Sequence, residues 1–281
     1  MEPRALSFEG SGGMRLRADA WGDPDAPAVL LLHGGGQTRH AWGGTAQALA
    51  RDGRCAIALD QRGHGDSEWH PDGEYRLGAF AADLACVLER LPAAPALVGA
   101  SLGGLAILLA AETPGFDPGT VVLVDVAPRL EPEGTRRITA FMTERRDGFA
   151  SLEEAAEYIA AYTRERTRAR NLDGLAKVLR LGDDGRYRWH WDPRFISDLG
   201  PSELVDRERL LGCARRIAAP ALVVRGRQSD VLSPEGAAEL VAAFPDAELV
   251  DVSGAGHMVA GDRNEIFTQA VAGFLRRAQA R

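Results

Sequence analysis

Short apolar runs alternate with longer amphipathic segments along most of the chain. Continuously apolar runs, which are typical of strands buried on both faces of a sheet, occupy 28–32, 55–59, 95–98, 121–124 and 221–224. Segments with helical spacing lie between and after them, at about 40–51, 77–91, 102–112, 234–243 and 264–280. Strands that alternate with helices favour right-handed crossovers, so we predict an α/β fold with a mostly parallel sheet. Residues 14–20 alternate apolar and polar positions and predict an antiparallel strand at the start.

This alternation stops after the strand at 121–124. Residues 129–212 are helical in pattern, charged and rich in aromatic residues, with no clear buried strand. An insertion of this size between two core strands predicts a helical lid over the carboxyl ends of the sheet. We therefore expect one core built from residues 1–128 and 213–281, with the lid formed by residues 129–212.

Composition narrows the class of protein. The 281 residues carry a formal net charge of −7, which argues against nucleic-acid and anionic-membrane partners. The three cysteines have no CxxC spacing and predict neither a disulfide framework nor a zinc site. The start of the chain has no signal-like apolar segment, and no apolar run is long enough to span a bilayer. We expect a soluble cytoplasmic protein.

A Gly-x-Ser-x-Gly sequence lies between an apolar strand and an apolar helix. The serine is Ser101, and Gly99 and Gly103 flank it at two residues' distance. This context places a serine in a tight strand-to-helix turn with its hydroxyl exposed, and the glycines allow strand and helix to pack closely. The pattern indicates a nucleophile.

Other reactive side chains follow the remaining predicted strands. Because the carboxyl ends of parallel strands share one edge of the sheet, we expect these residues to lie near Ser101. In chain order they are the segment His33-Gly34-Gly35-Gly36, the segment from Asp60 to Ser67, Asp125, Asp230 and His257.

These motifs together resemble the α/β-hydrolase superfamily, from His33 to the end of the chain. The segment Asp60 to Ser67 is similar to the Asp-x-Arg-Gly-x-Gly-x-Ser sequence of small serine hydrolases that include esterases, enol-lactonases and cofactor-free haloperoxidases. The resemblance implies an eight-stranded, mostly parallel sheet with a helical lid after the sixth strand, and no cofactor or metal. It also implies a catalytic triad of Ser101, Asp230 and His257.

The acid of this triad has an alternative. Asp230 is favoured because the stretch before His257 has room for one helix and one strand, but Asp125 also follows a strand. We expect Asp60 and Asp66 to be structural, pairing with Arg62 or capping turns. His33 and His64 lie in glycine-rich turns, and we expect them to hold loops by hydrogen bonds.

The oxyanion requires backbone donors. Leu102, directly after the nucleophile, supplies one N–H group, and the resemblance places the second at Gly35. A glycine at this position suggests a roomy acyl site for bulky or branched substrates. Candidate substrate-pocket residues are Gly36, Trp42, Trp189 and Trp191.

We therefore predict a serine hydrolase that cleaves a small to medium, apolar carboxylic ester or lactone through an acyl-enzyme on Ser101. The same triad also serves carbon–carbon bond hydrolases and perhydrolases or haloperoxidases, which stay as alternatives. A non-catalytic ligand receptor on this fold is a further alternative. A homodimer is a possible assembly.

Overall fold

The computed structural model describes residues 1–92, 94–126, 128, 131–162, 172–175, 177–198, 206–254 and 264–279. Ten β-strands lie within these residues: β1 (Arg4–Glu9), β2 (Arg15–Trp21), β3 (Ala28–Leu32), β4 (Cys55–Leu59), β5 (Ala96–Ala100), β6 (Thr120–Val124), β7 (Leu179–Leu181), β8 (Tyr187–Trp189), β9 (Ala221–Gly226) and β10 (Ala247–Val252).

One sheet unites eight of these strands in the order β1-β2-β4-β3-β5-β6-β9-β10. The pairs β1–β2 and β2–β4 are antiparallel, and every other pair in this sheet is parallel. Strands β3, β4 and β6 are buried along their whole length, because helices cover both faces of a parallel sheet. The predicted fold class is confirmed.

The helices within the described residues are α1 (Gly43–Arg51), α2 (Leu77–Leu88), α3 (Leu102–Ala110), α4 (Pro132–Thr143), α5 (Leu152–Tyr162), α6 (Leu172–Leu175), α7 (Arg194–Asp198), α8 (Arg207–Arg216), α9 (Pro234–Ala243) and α10 (Asn264–Gln279). Apolar side chains of α2, α3 and α8 pack on one face of the sheet, and those of α1 and α10 pack on the other. None of these helices is long and apolar enough to cross a membrane.

The predicted lid follows β6 and contains more than helices. Its short antiparallel hairpin, β7–β8, aligns Leu179 with Trp189. Strands of three residues are too short to show an alternating pattern, so the sequence did not reveal them. Phe149 is fully buried in the lid, and its ring lies 5.2 Å from that of Trp189 and 5.6 Å from that of Tyr158. Much of the aromatic content of the lid therefore forms its own small core.

Helix α8 returns the chain to the core earlier than the sequence suggested. It begins at Arg207, with the Asp206 side chain accepting the Arg209 N–H at 3.1 Å as an N-cap. Leu210 and Ala214 are buried in the same apolar cluster as α3. The second part of the core thus starts near residue 207 rather than at 213.

Candidate active site

Ser101 occupies a strained turn between β5 and α3. Its φ of 45° and ψ of −112° are rare for a residue with a side chain. A Cβ on Gly99 would lie 2.5 Å from the carbonyl carbon of Gly103, and one on Gly103 would lie 2.5 Å from the carbonyl oxygen of Leu32. Glycine is therefore required at both flanking positions. The Ser101 N–H donates to the Val124 carbonyl at 3.0 Å, which fixes the turn beside β6.

Two backbone N–H groups border this turn. Leu102 is the first residue of α3, where helix N–H groups have no intrahelical acceptor. Gly34 lies against the serine, because a Cβ on Gly34 would be 3.5 Å from the Ser101 Cβ. Within the described residues, neither the Gly35 nor the Leu102 N–H donates a hydrogen bond. Neither group is therefore engaged by another described residue.

Lid side chains cover Gly35 and Gly36 in the glycine loop that follows β3, residues 33–36. A Cβ on Gly35 would lie 3.2 Å from the Phe195 ring, and one on Gly36 would lie 2.8 Å from Met142 and 3.3 Å from the Trp191 ring. Phe195 is itself fully buried. Phe195 therefore occupies the side of Gly35 to which a Cβ would point, which argues against the roomier acyl site suggested by the sequence.

The tryptophans suggested for the pocket have different positions. Trp42 is only 1% exposed, with its ring 5.8 Å from that of Phe267 in α10. It is a core residue, and its assignment to the pocket is wrong. Trp191 stacks on Trp189 at 4.6 Å. Trp191 also contacts Gly36, whereas Trp189 is half-buried in the aromatic core of the lid.

Asp125 is a buried carboxylate directly after β6. It is 1% exposed and has a positive φ of 50°. Its Oδ2 accepts a 2.5 Å hydrogen bond from the Ser229 hydroxyl, and its Oδ1 accepts the Gly226 N–H at 3.3 Å. Asp125 directly follows Val124, whose carbonyl accepts the Ser101 N–H. The Asp125 carboxylate therefore lies at the strand end that borders the nucleophile.

Asp230 has a more polar environment. Its side chain is 31% exposed, and its Oδ2 lies 2.9 Å from an Nη atom of Arg137 in lid helix α4. The Arg137 guanidinium in turn lies 5.4 Å from the centre of the Tyr162 ring. Asp230 therefore joins the lid to the end of β9 by an ion pair.

His257 lies outside the described residues. The chain is described up to Gly254, just after β10, and again from Asn264 at the start of α10. The predicted role of His257 as the base stays a prediction.

The carboxylates in the loop from Asp60 to Ser67 have partners other than the one expected. Both Asp60 and Asp66 pair with Arg39, which lies 2.8 Å from Asp66 and donates its backbone N–H to Asp60 at 2.7 Å. Arg62 instead forms a buried pair with Asp83 at 2.6 Å. The predicted pairing with Arg62 is wrong because Arg62 points towards α2, but the structural role of these carboxylates is confirmed.

His33 and His64 hold loops, as predicted. Both are fully buried, with ring centroids 5.1 Å apart. Each ring contacts a backbone carbonyl at Nδ1 and accepts a backbone N–H at Nε2, which fits the neutral tautomer protonated on Nδ1. Burial lowers the pKa of His33 to about 4 and that of His64 to about 3. Both rings are neutral at physiological pH.

A third buried histidine was not singled out by the sequence. His190 of the lid is 2% exposed, and its Nδ1 accepts the Gly65 N–H at 2.8 Å. Burial holds its pKa well below the usual value. This bond joins the lid to the loop from Asp60 to Ser67, a contact between segments distant in sequence that no local pattern indicates.

These three histidines predict a loss of stability in mild acid. Their pKa values are lower in the folded state than the 6.5 of an exposed histidine, so below about pH 6.5 the unfolded chain binds more protons. The free energy of unfolding should be insensitive to these groups above that pH. It should fall below it by up to about 1.4 kcal/mol per pH unit for each histidine.

Urea unfolding at a series of pH values between about 7 and 5, above most carboxylate titration, measures this slope. The variant His190→Gln removes one titrating ring. It should reduce the slope of the unfolding free energy against pH by up to about 1.4 kcal/mol per pH unit. A free energy that stays flat over this range would show that the buried rings do not control acid stability.

Similarity to known proteins extends over most of the chain. The sequence model of a family described as the alpha/beta hydrolase fold matches residues 27–263. An esterase of Mycobacterium tuberculosis is 34% identical over 270 residues, covering 92% of this chain and 86% of that protein. A 3-hydroxybutyrate-oligomer hydrolase of Cupriavidus necator is 31% identical over 261 residues, covering 88% of each. The crystal structure of E-2-(acetamidomethylene)succinate hydrolase aligns with a TM-score of 0.84 at 26% identity, covering 98% of this chain and 99% of that one.

Proposed function

The chain belongs to the alpha/beta hydrolase family and is an ester-hydrolysing member of it, and we propose that it acts through an acyl-enzyme on Ser101. The observation that carries the proposal is the serine turn itself. Ser101 is held at an unusual backbone conformation beside a glycine loop, and two neighbouring N–H groups have no acceptor within the described residues. This arrangement suits attack on a carbonyl whose oxygen becomes negatively charged.

The proposed reaction has two acyl-transfer steps. His257 takes the proton from the Ser101 hydroxyl as its oxygen attacks the ester carbonyl, and the N–H groups of Gly35 and Leu102 hold the oxyanion. Protonated His257 then gives this proton to the leaving alcohol, and the acyl group remains on Ser101. Water, activated by the same histidine, releases the acid and regenerates the serine.

We infer that Asp125 is the carboxylate that orients His257. A triad carboxylate is usually buried and hydrogen-bonded, so that it holds the imidazole in one tautomer and stabilises its positive charge. Asp125 meets this requirement, because it is buried and accepts a hydrogen bond from Ser229. Asp230, which the sequence favours, is partly exposed and its charge is already compensated by Arg137. These contacts support Asp125.

The proposed substrate is a small or medium-sized, uncharged carboxylic ester or lactone. Support comes from the apolar surroundings of the glycine loop, where Met142, Trp191 and Phe195 lie against Gly35 and Gly36. An apolar wall with a few directed N–H donors is typical of sites for uncharged ligands. The Phe195 ring beside Gly35 favours short, unbranched acyl groups over bulky ones.

A substrate panel tests this function. It should contain p-nitrophenyl esters of increasing acyl length and branching, a simple lactone, a vinylogous diketone for carbon–carbon cleavage, and acetate with hydrogen peroxide. We expect the short linear esters to be the best substrates, with kcat/KM of about 10⁴ M⁻¹ s⁻¹ or more. Faster cleavage of the diketone than of every ester, or no turnover of any compound, would contradict the proposal.

A further inference from the structure

The oxyanion loop, residues 33–36, is fastened to the neighbouring loop from Asp60 to Ser67. The Gln61 N–H donates to the His33 ring at 3.0 Å, and the Gln61 side-chain amide donates to the His33 carbonyl at 2.6 Å. The Gly36 N–H donates to the Nε2 atom of His64 at 3.1 Å. Both ends of the glycine loop are therefore held by side chains or backbone of the second loop.

His64 has the chemistry needed for a fixed support. Its Nδ1 contacts the Arg62 carbonyl at 2.9 Å, so a ring protonated on Nδ1 donates there and presents a lone pair at Nε2 to the Gly36 N–H. The ring is fully buried, and the edge-on ring of Phe195 lies 4.7 Å away. Hydrogen bonds at both nitrogens and packing around the ring leave it one orientation.

The bond at Gly36 determines which N–H groups of the loop can face the substrate. Gly36 has a φ of 72°, a conformation that strongly favours glycine, and its N–H is directed to His64. The Gly35 N–H, one residue earlier, has no acceptor within the described residues. The Gly35 N–H belongs to the preceding peptide, whose Gly34 carbonyl contacts the His33 ring at 2.8 Å and accepts the Gln37 N–H at 3.1 Å. Together with the Gly36 bond, these contacts hold the peptides on both sides of Gly35 and leave its N–H for the oxyanion.

We propose that His64 is a positioning residue for the oxyanion hole, acting through Gly36 to place the Gly35 N–H. This inference rests on the proposed function, in which Gly35 supplies one of the two oxyanion donors. Oxyanion donors stabilise the transition state more than the bound substrate, and catalysis is sensitive to displacements of about 1 Å. Loss of the His64 acceptor should therefore lower kcat and leave KM nearly unchanged.

Two amide variants separate this role from simple packing. In His64→Gln the amide oxygen can reach the position of Nε2, so the acceptor for Gly36 is kept. In His64→Asn the shorter side chain reaches only the position of Nδ1, so that acceptor is lost. We expect kcat to fall by about 10–100-fold in His64→Asn and to recover most of that loss in His64→Gln. The partly exposed His70 supplies the matched control, and His70→Asn should keep the wild-type kcat.

Active-site titration with a fluorophosphonate, which labels an activated serine, gives the number of competent sites, so kcat is expressed per labelled site. The second readout is inhibition by an alkyl trifluoromethyl ketone, whose serine adduct carries an oxyanion. Its inhibition constant should rise in His64→Asn by the same factor by which kcat/KM falls. Wild-type kcat per labelled site in His64→Asn, or reduced kcat with unchanged inhibition, would overturn the role of His64.

These results also keep the two proposals apart. A wild-type protein that neither hydrolyses esters nor reacts with the fluorophosphonate contradicts the proposed function itself. A wild-type protein that does both, while His64→Asn matches it in kcat and inhibition, contradicts only the positioning role.

Discussion

Replacement of Ser101 by alanine is expected to lower kcat for ester hydrolysis by roughly 10⁶-fold, as removal of a triad nucleophile does in other serine hydrolases. The reason is chemical, because alanine has no oxygen that can form the acyl-enzyme. Alanine also has the Cβ that the turn already accommodates at the φ of 45°. The backbone bonds from Ser101 N–H to Val124 and from Leu105 N–H to the Ser101 carbonyl do not involve the hydroxyl.

Steady-state rates with the best ester of the panel measure this effect, and thermal unfolding reports whether the fold is retained. The matched control is Ser7→Ala, which removes an exposed hydroxyl from strand β1 at the far edge of the sheet. The control should keep the wild-type rate and both variants should keep the wild-type melting temperature. Substantial turnover by Ser101→Ala would refute the assignment of the nucleophile.

The second large effect is expected at Asp125. Its replacement by asparagine should lower kcat by about 10⁴-fold, the cost seen when a triad aspartate becomes an amide and the histidine adopts the wrong tautomer. The amide has nearly the shape of the carboxylate, so the contacts to Ser229 and the Gly226 N–H can be kept in part. The loss should therefore appear in kcat rather than in the folded fraction of the protein.

Asp230→Asn is the matched comparison, since it removes the same charge one residue beyond Ser229. We expect a change in kcat of less than about tenfold, because a partly exposed ion pair contributes little. Steady-state rates of both variants, each corrected for active sites by fluorophosphonate titration, provide the test. A large loss in Asp230→Asn with little loss in Asp125→Asn would restore Asp230 as the acid.

The succession of strands and helices along the chain and the place of Ser101 were accessible from the sequence. Apolar runs such as 28–32 and 121–124 identify strands buried on both faces, and parallel strands present their carboxyl ends at one edge. The Gly-x-Ser-x-Gly turn is a local steric requirement, so its glycines report it directly. These features depend on neighbours in sequence and on general rules of chain topology.

The choice of acid depends on contacts that a sequence does not display. Asp125 and Asp230 both follow strands, and only the surroundings of each carboxylate distinguish them. The one sequence signal was Ser229, which precedes Asp230. Its hydroxyl can donate to a carboxylate on a neighbouring strand end, and in the structure it donates to Asp125. The pairing of Asp60 and Asp66 with Arg39 was hidden for the same reason, since it joins separate loops.

The neighbours of Gly35 likewise could not be read from the sequence. A glycine shows that a side chain is missing, but it does not show which neighbour occupies the vacated volume. Here Phe195 of α7 lies against it, and Met142 and Trp191 lie against Gly36. These side chains therefore pack against the glycine loop through contacts that only the folded chain reveals.

Trapping of the acyl-enzyme is a direct test of Ser101 as the nucleophile. Wild-type protein mixed with p-nitrophenyl acetate is quenched in acid within the first turnovers, and its mass and peptide map are measured. We expect a gain of one acetyl group per chain, located on Ser101 and absent from Ser101→Ala. Rapid ester turnover with the acetyl group on another residue would contradict the assignment of Ser101. Rapid turnover would also contradict it if Ser101 gained no acetyl group and did not react with a fluorophosphonate.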